Sequence, residues 1–179
     1  GIRPRGPRGR PPPDGRRQVY FDAEIGGWGG HPEADGPSGL SAGFHNGQNT
    51  PIEMIEAIFP LRFTHYGFLP GSGGAGKMRG GLGLVREWRF IAEHGLLNAS
   101  FDAFASRPYG LAGGEPGRGG SLSLIRDGQV TALPAKTIGC VLRAGDIVRM
   151  ETPGGGGHGD PGERDPAATA ADRADGYVT

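Results

Sequence analysis

NTPIEMIEAIFPLRFTHYGFLPGSGGAGKMRGGLGLVREWRFI, residues 49–91, is the stretch from which the fold can be read outward. Asn49 or Thr50 stands where a helix cap is wanted, and Pro51 as first helical residue loses no hydrogen bond by lacking an N–H. With Thr50 as the cap, Glu53 falls at the third helical position and completes a capping box. Ile52, Ile55 and Phe59 then share one face at i, i+3, i+7 spacing, and Pro60 stops the helix after about two turns. Residues 61–69, with Phe63, Tyr66 and Phe68, read as a strand. Residues 84–91 read as a second, with Leu84, Trp88 and Phe90 on one side and Val85 and Ile91 on the other. A glycine-rich connection between them suits an antiparallel pair.

That connection contains GSGGAGKM, residues 71–78. Gly71, Gly76 and Lys77 have the spacing of a phosphate-binding loop, and Gly71, Gly73 and Gly76 that of a dinucleotide fingerprint. Both chemistries need a helix directly after the loop, whose N-terminal amides hold the phosphate. Here three glycines and a strand pattern follow, and Met78 stands where a metal-binding Ser or Thr belongs. Nucleotide binding is therefore not assigned to Lys77.

The same tension between glycine and strand runs through the whole chain. Of 179 residues, 37 are Gly and 16 are Pro, a composition that verges on disorder. Yet the apolar residues cluster in strand-length runs, which points to a loop-rich β structure with a modest core. Residues 1–17 are set apart: six Arg, five Pro, four Gly, one Ile and one Asp, read as a disordered tail. Without them 13 basic and 18 acidic residues remain, a net of −5 hidden behind the overall zero. The arginine tail lacks the interleaved aromatics of a single-strand binder, which argues against a nucleic-acid partner. The single cysteine, Cys140 in IGCVL, excludes an internal disulfide and reads as a small apolar strand residue. No apolar run reaches transmembrane length and no signal-peptide core is present, so a cytoplasmic protein without a membrane partner is the expectation.

The remaining strands follow from alternation and turns. Residues 19–25 can form a strand before the turn GGWGG. Leu97, Ala99, Phe101 and Ala103 alternate with polar residues. SLSLIRDGQVTALP reads as a hairpin about Asp127-Gly128, and TIGCVLRAGDIVRMET as another pair turning at Ala144, Gly145 and Asp146. About seven strands result. The expected fold is mainly β with a few short helices, α+β, an antiparallel sandwich- or barrel-like domain rich in loops and glycine. Asp165 opens a last helix that Gly176 ends.

Chemistry-bearing residues are sparse. His31, Asp35 and His45 could be imagined as a metal cluster, but no spacing holds them together, and no metal site is assigned. Arg107 can anchor a substrate carboxylate or carbonyl bidentately, or bind loop carbonyls and hold the fold. Residues 152–161, TPGGGGHGDP, place Gly154, Gly155, Gly156 and Gly157 in one run. Four ordered glycines cost so much backbone entropy that they need a reason, such as amides closing on an anion, an oxyanion or another chain. The alternative is a flexible turn. His158 and Asp160, at i and i+2, are the candidates for acid/base or metal chemistry.

Three blocks in order, NTPIEMIEAIFPLRFTHY, SGGAGKMRGGLGLVREWRF and TPGGGGHGDPGERDP, resemble the C-terminal part of the hydantoinase B/oxoprolinase family. That family includes the B-type subunits of N-methylhydantoinases and the C-terminal region of 5-oxoprolinases, and the large subunits of acetone and acetophenone carboxylases are similar to it. The resemblance spans about residues 20–179. It implies a part in ATP-dependent hydrolysis of a cyclic amide such as hydantoin or 5-oxoproline, with an A-type subunit or domain phosphorylating the amide oxygen. It also implies ATP and a divalent metal for the full complex, neither bound by this segment, because the family's metal-binding His and Asp residues lie in an N-terminal half of the B-type polypeptide. That half is then a second partner, and the isolated chain is expected to be inactive. A carboxylase-like fragment and a non-catalytic β-rich scaffold are the alternatives.

Overall fold

A computed structural model describes residues 19–41 and 47–178. The tail expected at 1–17, and His45, lie outside the described residues. Helix α1 (Ile52–Ile58) leads into β1 (Leu61–Phe68) and β2 (Leu84–Phe90). Strands β3 (His94–Ser100), β4 (Ser121–Arg126), β5 (Gln129–Leu133), β6 (Lys136–Arg143) and β7 (Ile147–Glu151) follow, then a 3-10 turn (Pro161–Glu163) and helix α2 (Pro166–Ala174). One sheet has the order β1-β2-β7-β4-β5 and a second consists of β3 and β6, with every pairing antiparallel. The architecture is sandwich-like and mainly β, as expected, and not a closed barrel.

The core lies between the two sheets. Trp88, Phe90, Leu122, Leu124 and Val148 of the larger sheet meet Leu142 of the smaller, with Ile55 and Leu61 at one end. Each such side chain contributes roughly 1.5–3 kcal/mol by leaving water. The sheets touch closely at Gly95, where a Cβ would press on the Phe90 ring at 2.6 Å.

Helix α1 buries Ile55 as its spacing predicts, but Pro51, not Thr50, occupies the cap position and no side-chain cap bond forms. The expected capping box is thus absent. Glu56 instead accepts the Phe63 amide at 2.7 Å, tying the helix to β1. The Asp127-Gly128 hairpin is as read, with positive φ at both residues (52° and 79°), the backbone of a tight two-residue turn. The second expected hairpin is corrected. β6 and β7 are consecutive but enter different sheets, β6 pairing with β3 and β7 inserting between β2 and β4. Residues 19–25 are not a strand either, since no ladder forms on them among the described residues. Asp165 caps α2 through the Ala167 amide at 2.9 Å, and Gly176 follows at φ 71°.

Candidate functional site: a layer of glycine backbones

Below the sandwich the glycine-rich segments converge. Residues 26–30, 72–76, 80–83, 110–117 and 153–158 run against one another, with Gly154, Gly155, Gly156 and Gly157 buried at the centre. The Gly154, Gly155 and Gly157 amides donate to the carbonyls of Arg118 (3.0 Å), Gly81 (2.9 Å) and Glu115 (2.9 Å). In return, Gly155, Gly156 and Gly157 carbonyls accept from Gly74 (2.8 Å), Gly30 (2.8 Å) and Leu111 (2.9 Å). These bonds satisfy the buried backbone that a loop would otherwise strand.

The run needs glycine because other backbones touch it. A Cβ on Gly154 would fall on the Ser72 carbonyl, on Gly155 on Trp28, on Gly156 on Tyr109 and on Gly157 on Ala75, each under 3.0 Å. The facing segment recurs at the third residue: Gly154 and Gly157 both meet the 72–75 stretch. Three residues per turn is the period of an extended polyproline-II-type helix, which lacks internal hydrogen bonds and so can spend every one on its neighbours.

His158 ends the run. Its amide and carbonyl pair with those of Met78, both at 2.9 Å, and it forms a parallel bridge to Leu111. The half-buried imidazole has no hydrogen-bond partner among the described residues. Asp160 is exposed, and its carboxylate caps the 3-10 turn through the Gly162 amide at 2.8 Å. Arg107 is exposed, and its Nε donates to the Gly117 carbonyl at 3.0 Å, so it braces the glycine layer from outside. Lys77 pairs with Glu163 at 3.3 Å, and the chain beyond it runs into β2.

The Asp35 carboxylate is engaged by two arginines. It takes the Arg79 amide (2.6 Å) and both terminal nitrogens of Arg164 (2.8 and 2.9 Å). Arg164 also reaches Asp172 of α2 at 2.6 Å, and Arg79 reaches the same carboxylate at 3.3 Å while lying over the Tyr177 ring. The hydrogen-bonded Arg164 guanidinium holds the Asp35 carboxyl below its ordinary range, and Asp35 in turn raises Arg164. This four-charge knot fastens α2 to the layer. Among the described residues no three His, Cys, Asp or Glu side chains converge in a way that could hold a metal ion, so no metal step is derived from this chain.

A second charged cluster sits at the sandwich end and escaped the sequence reading. Arg86 of β2 is 2% exposed, held between the Phe63 and Tyr66 rings at 4.9 and 4.8 Å from their centroids. Its Nη1 pairs with Asp22 and Glu24, and the Tyr20 hydroxyl donates to Asp22. Burial, with Asp22 beside it, pushes the Tyr20 hydroxyl well above its ordinary pKa. The only signal for this cluster was an arginine at a core position of a strand pattern and two carboxylates at i, i+2.

The fold is thus a two-sheet β domain resting on a layer of glycine backbones packed against one another. The hydantoinase B/oxoprolinase family model matches residues 2–161, and the chain belongs to that family. It is 36% identical over 164 residues to a protein of Pseudomonas sp. (strain NS671) named as the B-type subunit of a D-/L-hydantoinase, covering 90% of this chain and 27% of that one. It is 34% identical over 141 residues to 5-oxoprolinase 1 of Arabidopsis thaliana, covering 78% and 11%. Among solved structures it is similar to the ATP-dependent caprolactamase from Pseudomonas jessenii, at TM-score 0.70 and 26% identity over 87% of this chain and 28% of that one. A nucleotide-free acetone carboxylase is similar at TM-score 0.72 and 25% identity, covering 82% and 24%. The chain thus spans about a quarter or less of the proteins it matches.

Proposed function

We propose that this chain is the C-terminal part of a B-type component that, with an A-type ATP-binding subunit or domain and the remainder of the B-type polypeptide, hydrolyses a cyclic amide at the expense of ATP. One observation carries this reading: hydantoin, 5-oxoproline and caprolactam, the compounds in the relatives' names, are all ring amides, and the caprolactamase is described as ATP-dependent. A planar amide resists water, and phosphorylation of its oxygen at an A-type partner would make the ring carbon electrophilic. Water then adds, the ring C–N bond breaks with a proton passing to nitrogen, and the acyl phosphate left behind is hydrolysed to carboxylate and inorganic phosphate. Within such a complex His158 and Asp160, at the end of the glycine run, are the groups proposed for proton transfer and Arg107 the one proposed for the substrate side. The amides of Gly154, Gly155 and Gly157 are spent on Arg118, Gly81 and Glu115 and hold the layer together. ATP and a divalent metal belong to the parts beyond this segment.

The test is reconstitution with an A-type subunit and the rest of a B-type chain, following phosphate release and ring opening on hydantoin, 5-oxoproline and caprolactam. The complex should turn over at least one ring amide and the isolated chain none. ATP turnover by the isolated chain that Lys77→Ala abolishes would overturn the reading. The acetone carboxylase likeness favours a second reading, carbon–carbon bond formation from bicarbonate. Ketone-dependent incorporation of labelled bicarbonate, with no ring opening, would establish it instead.

A further inference from the structure

Between the two sheets lies an open apolar slot of about 640 Å³, floored by Trp88, Leu122, Val148 and Met150. Its walls are unusual. On one side every residue from 96 to 100 of β3 lines it, and on the other every residue from 19 to 24. The β3–β6 ladder shifts register between Leu97 and Ala99, and Thr137, Ile138 and Leu142 of β6 line the slot too, so it runs along the smaller sheet. Among the described residues β6 is the one strand that pairs with β3. Residues 19–25 alternate exposed and half-buried from Val19 to Glu24, with Tyr20, Asp22 and Glu24 drawn toward the Arg86 cluster. They have the period of a strand, yet none of the backbone amides of residues 19–24 pairs with a carbonyl of another segment among the described residues. Among the described residues the free edge of β3 and the ladderless stretch 19–24 thus face one apolar slot, whose rim exposes Val19 (65%), Phe21 (85%) and Ile138 (88%).

We propose that a β-strand from the part of a B-type polypeptide that this chain does not cover occupies the slot, pairing with residues 19–25 on one edge and with β3 on the other. The five β3 residues offer about 17 Å of edge, the length of an ordinary strand. The occupant is apolar on the face over Trp88 and Val148, and lacks proline at its paired positions. The chain's own N-terminal residues do not suit: residues 1–17 hold five prolines, six arginines and one isoleucine. The quarter of the relatives' length that the chain covers leaves ample polypeptide to supply the strand. A two-stranded sheet is marginal by itself, and the added strand would turn β3-β6 into one continuous with residues 19–25. The proposal rests on reading the chain as part of a B-type component, but its test needs no activity.

Amide hydrogen exchange, read by mass spectrometry, is compared for this chain alone and for the same residues joined behind the uncovered part of the B-type Pseudomonas hydantoinase polypeptide. In the chain alone residues 19–25 and 96–100 should exchange fast while β2 and β7 are protected. In the joined polypeptide both stretches should slow together, by about a hundredfold. Protection of β2 and β7 serves as the folding check, and a joined chain that fails it is replaced by the same remainder supplied in trans, which must produce the same paired slowing. Slow exchange of both stretches in the monomeric chain alone overturns the proposal, as does protection that rises only with dimerisation. So does slowing of one stretch without the other, or of neither.

Discussion

Gly155→Ala tests the glycine layer by adding one carbon. The new Cβ would overlap the Trp28 carbonyl carbon and oxygen and crowd the Gly29 amide, all backbone atoms that no rotamer change can move. Relief requires shifting residues 28–29 or the 154–157 run, and a shift strains the Gly155 N–H to Gly81 bond (2.9 Å) and the Gly74 N–H to Gly155 bond (2.8 Å). Overpacking costs about 1–3 kcal/mol, and two weakened buried hydrogen bonds add about 1 kcal/mol each. The sum, about 3–5 kcal/mol, is a large share of the 5–15 kcal/mol typical of a domain. Gly29→Ala is the internal control, because its Cβ would meet nothing nearer than the Gly156 carbonyl at 3.7 Å. That variant should stay within about 0.5 kcal/mol of wild type. Urea unfolding followed by tryptophan fluorescence reads both, since Trp28 belongs to the layer and donates to the Leu40 carbonyl at 2.7 Å. With a slope near 2 kcal/mol/M, Gly155→Ala should lower the midpoint by roughly 1.5–2.5 M. A Gly155→Ala midpoint indistinguishable from that of Gly29→Ala would refute the close-packing account.

The knot at α2 should show in acid. The Asp35 pKa is depressed in the folded state, so its contribution is present above the unfolded value near 3.9 and is lost as pH falls through the folded one. The stability gap between wild type and Arg164→Gln should therefore be constant from pH 7 to about 5 and shrink below about 4, measured by urea unfolding at each pH. At the other end of the sandwich, Arg86→Met leaves Asp22 and Glu24 without their cation and should cost about 3–5 kcal/mol. The triple variant with Asp22→Asn and Glu24→Gln should recover part of that loss in thermal unfolding, and no recovery would mean that ring packing, not charge, dominates.

Local signals were legible. The apolar spacing of Ile52, Ile55 and Phe59, the alternation of β2 and the Asp127-Gly128 turn each lie within a dozen residues, and each appears where read. What could not be read was partner choice. β7 reaches β2 across some sixty residues of chain, while its hairpin neighbour β6 leaves for the other sheet, because Val148 and Leu142 must face each other across the core instead of lying side by side. Residues 19–25 have a strand's pattern without a ladder among the described residues, since alternation alone names no partner. The Gly154–Gly157 run announced that something approached it closely, and the sequence left open whether that was an anion or another stretch of chain. The bonds from its amides run to Arg118, Gly81 and Glu115, and no local rule identifies those carbonyls. Arg86 was passed over because an arginine in a strand pattern ordinarily points to water.

The layer also bears on how this chain can vary. An ordinary core position accepts exchange among Leu, Ile, Met and Val, so mutation there has near-neutral steps to take. Gly154, Gly155, Gly156 and Gly157 have none, since every other amino acid encoded by the genome carries the carbon that these positions lack room for. Any missense change in their four codons is a large step. Freedom to vary in this part of the molecule is thereby left to residues such as Lys77, whose side chain pairs with Glu163 outside the layer.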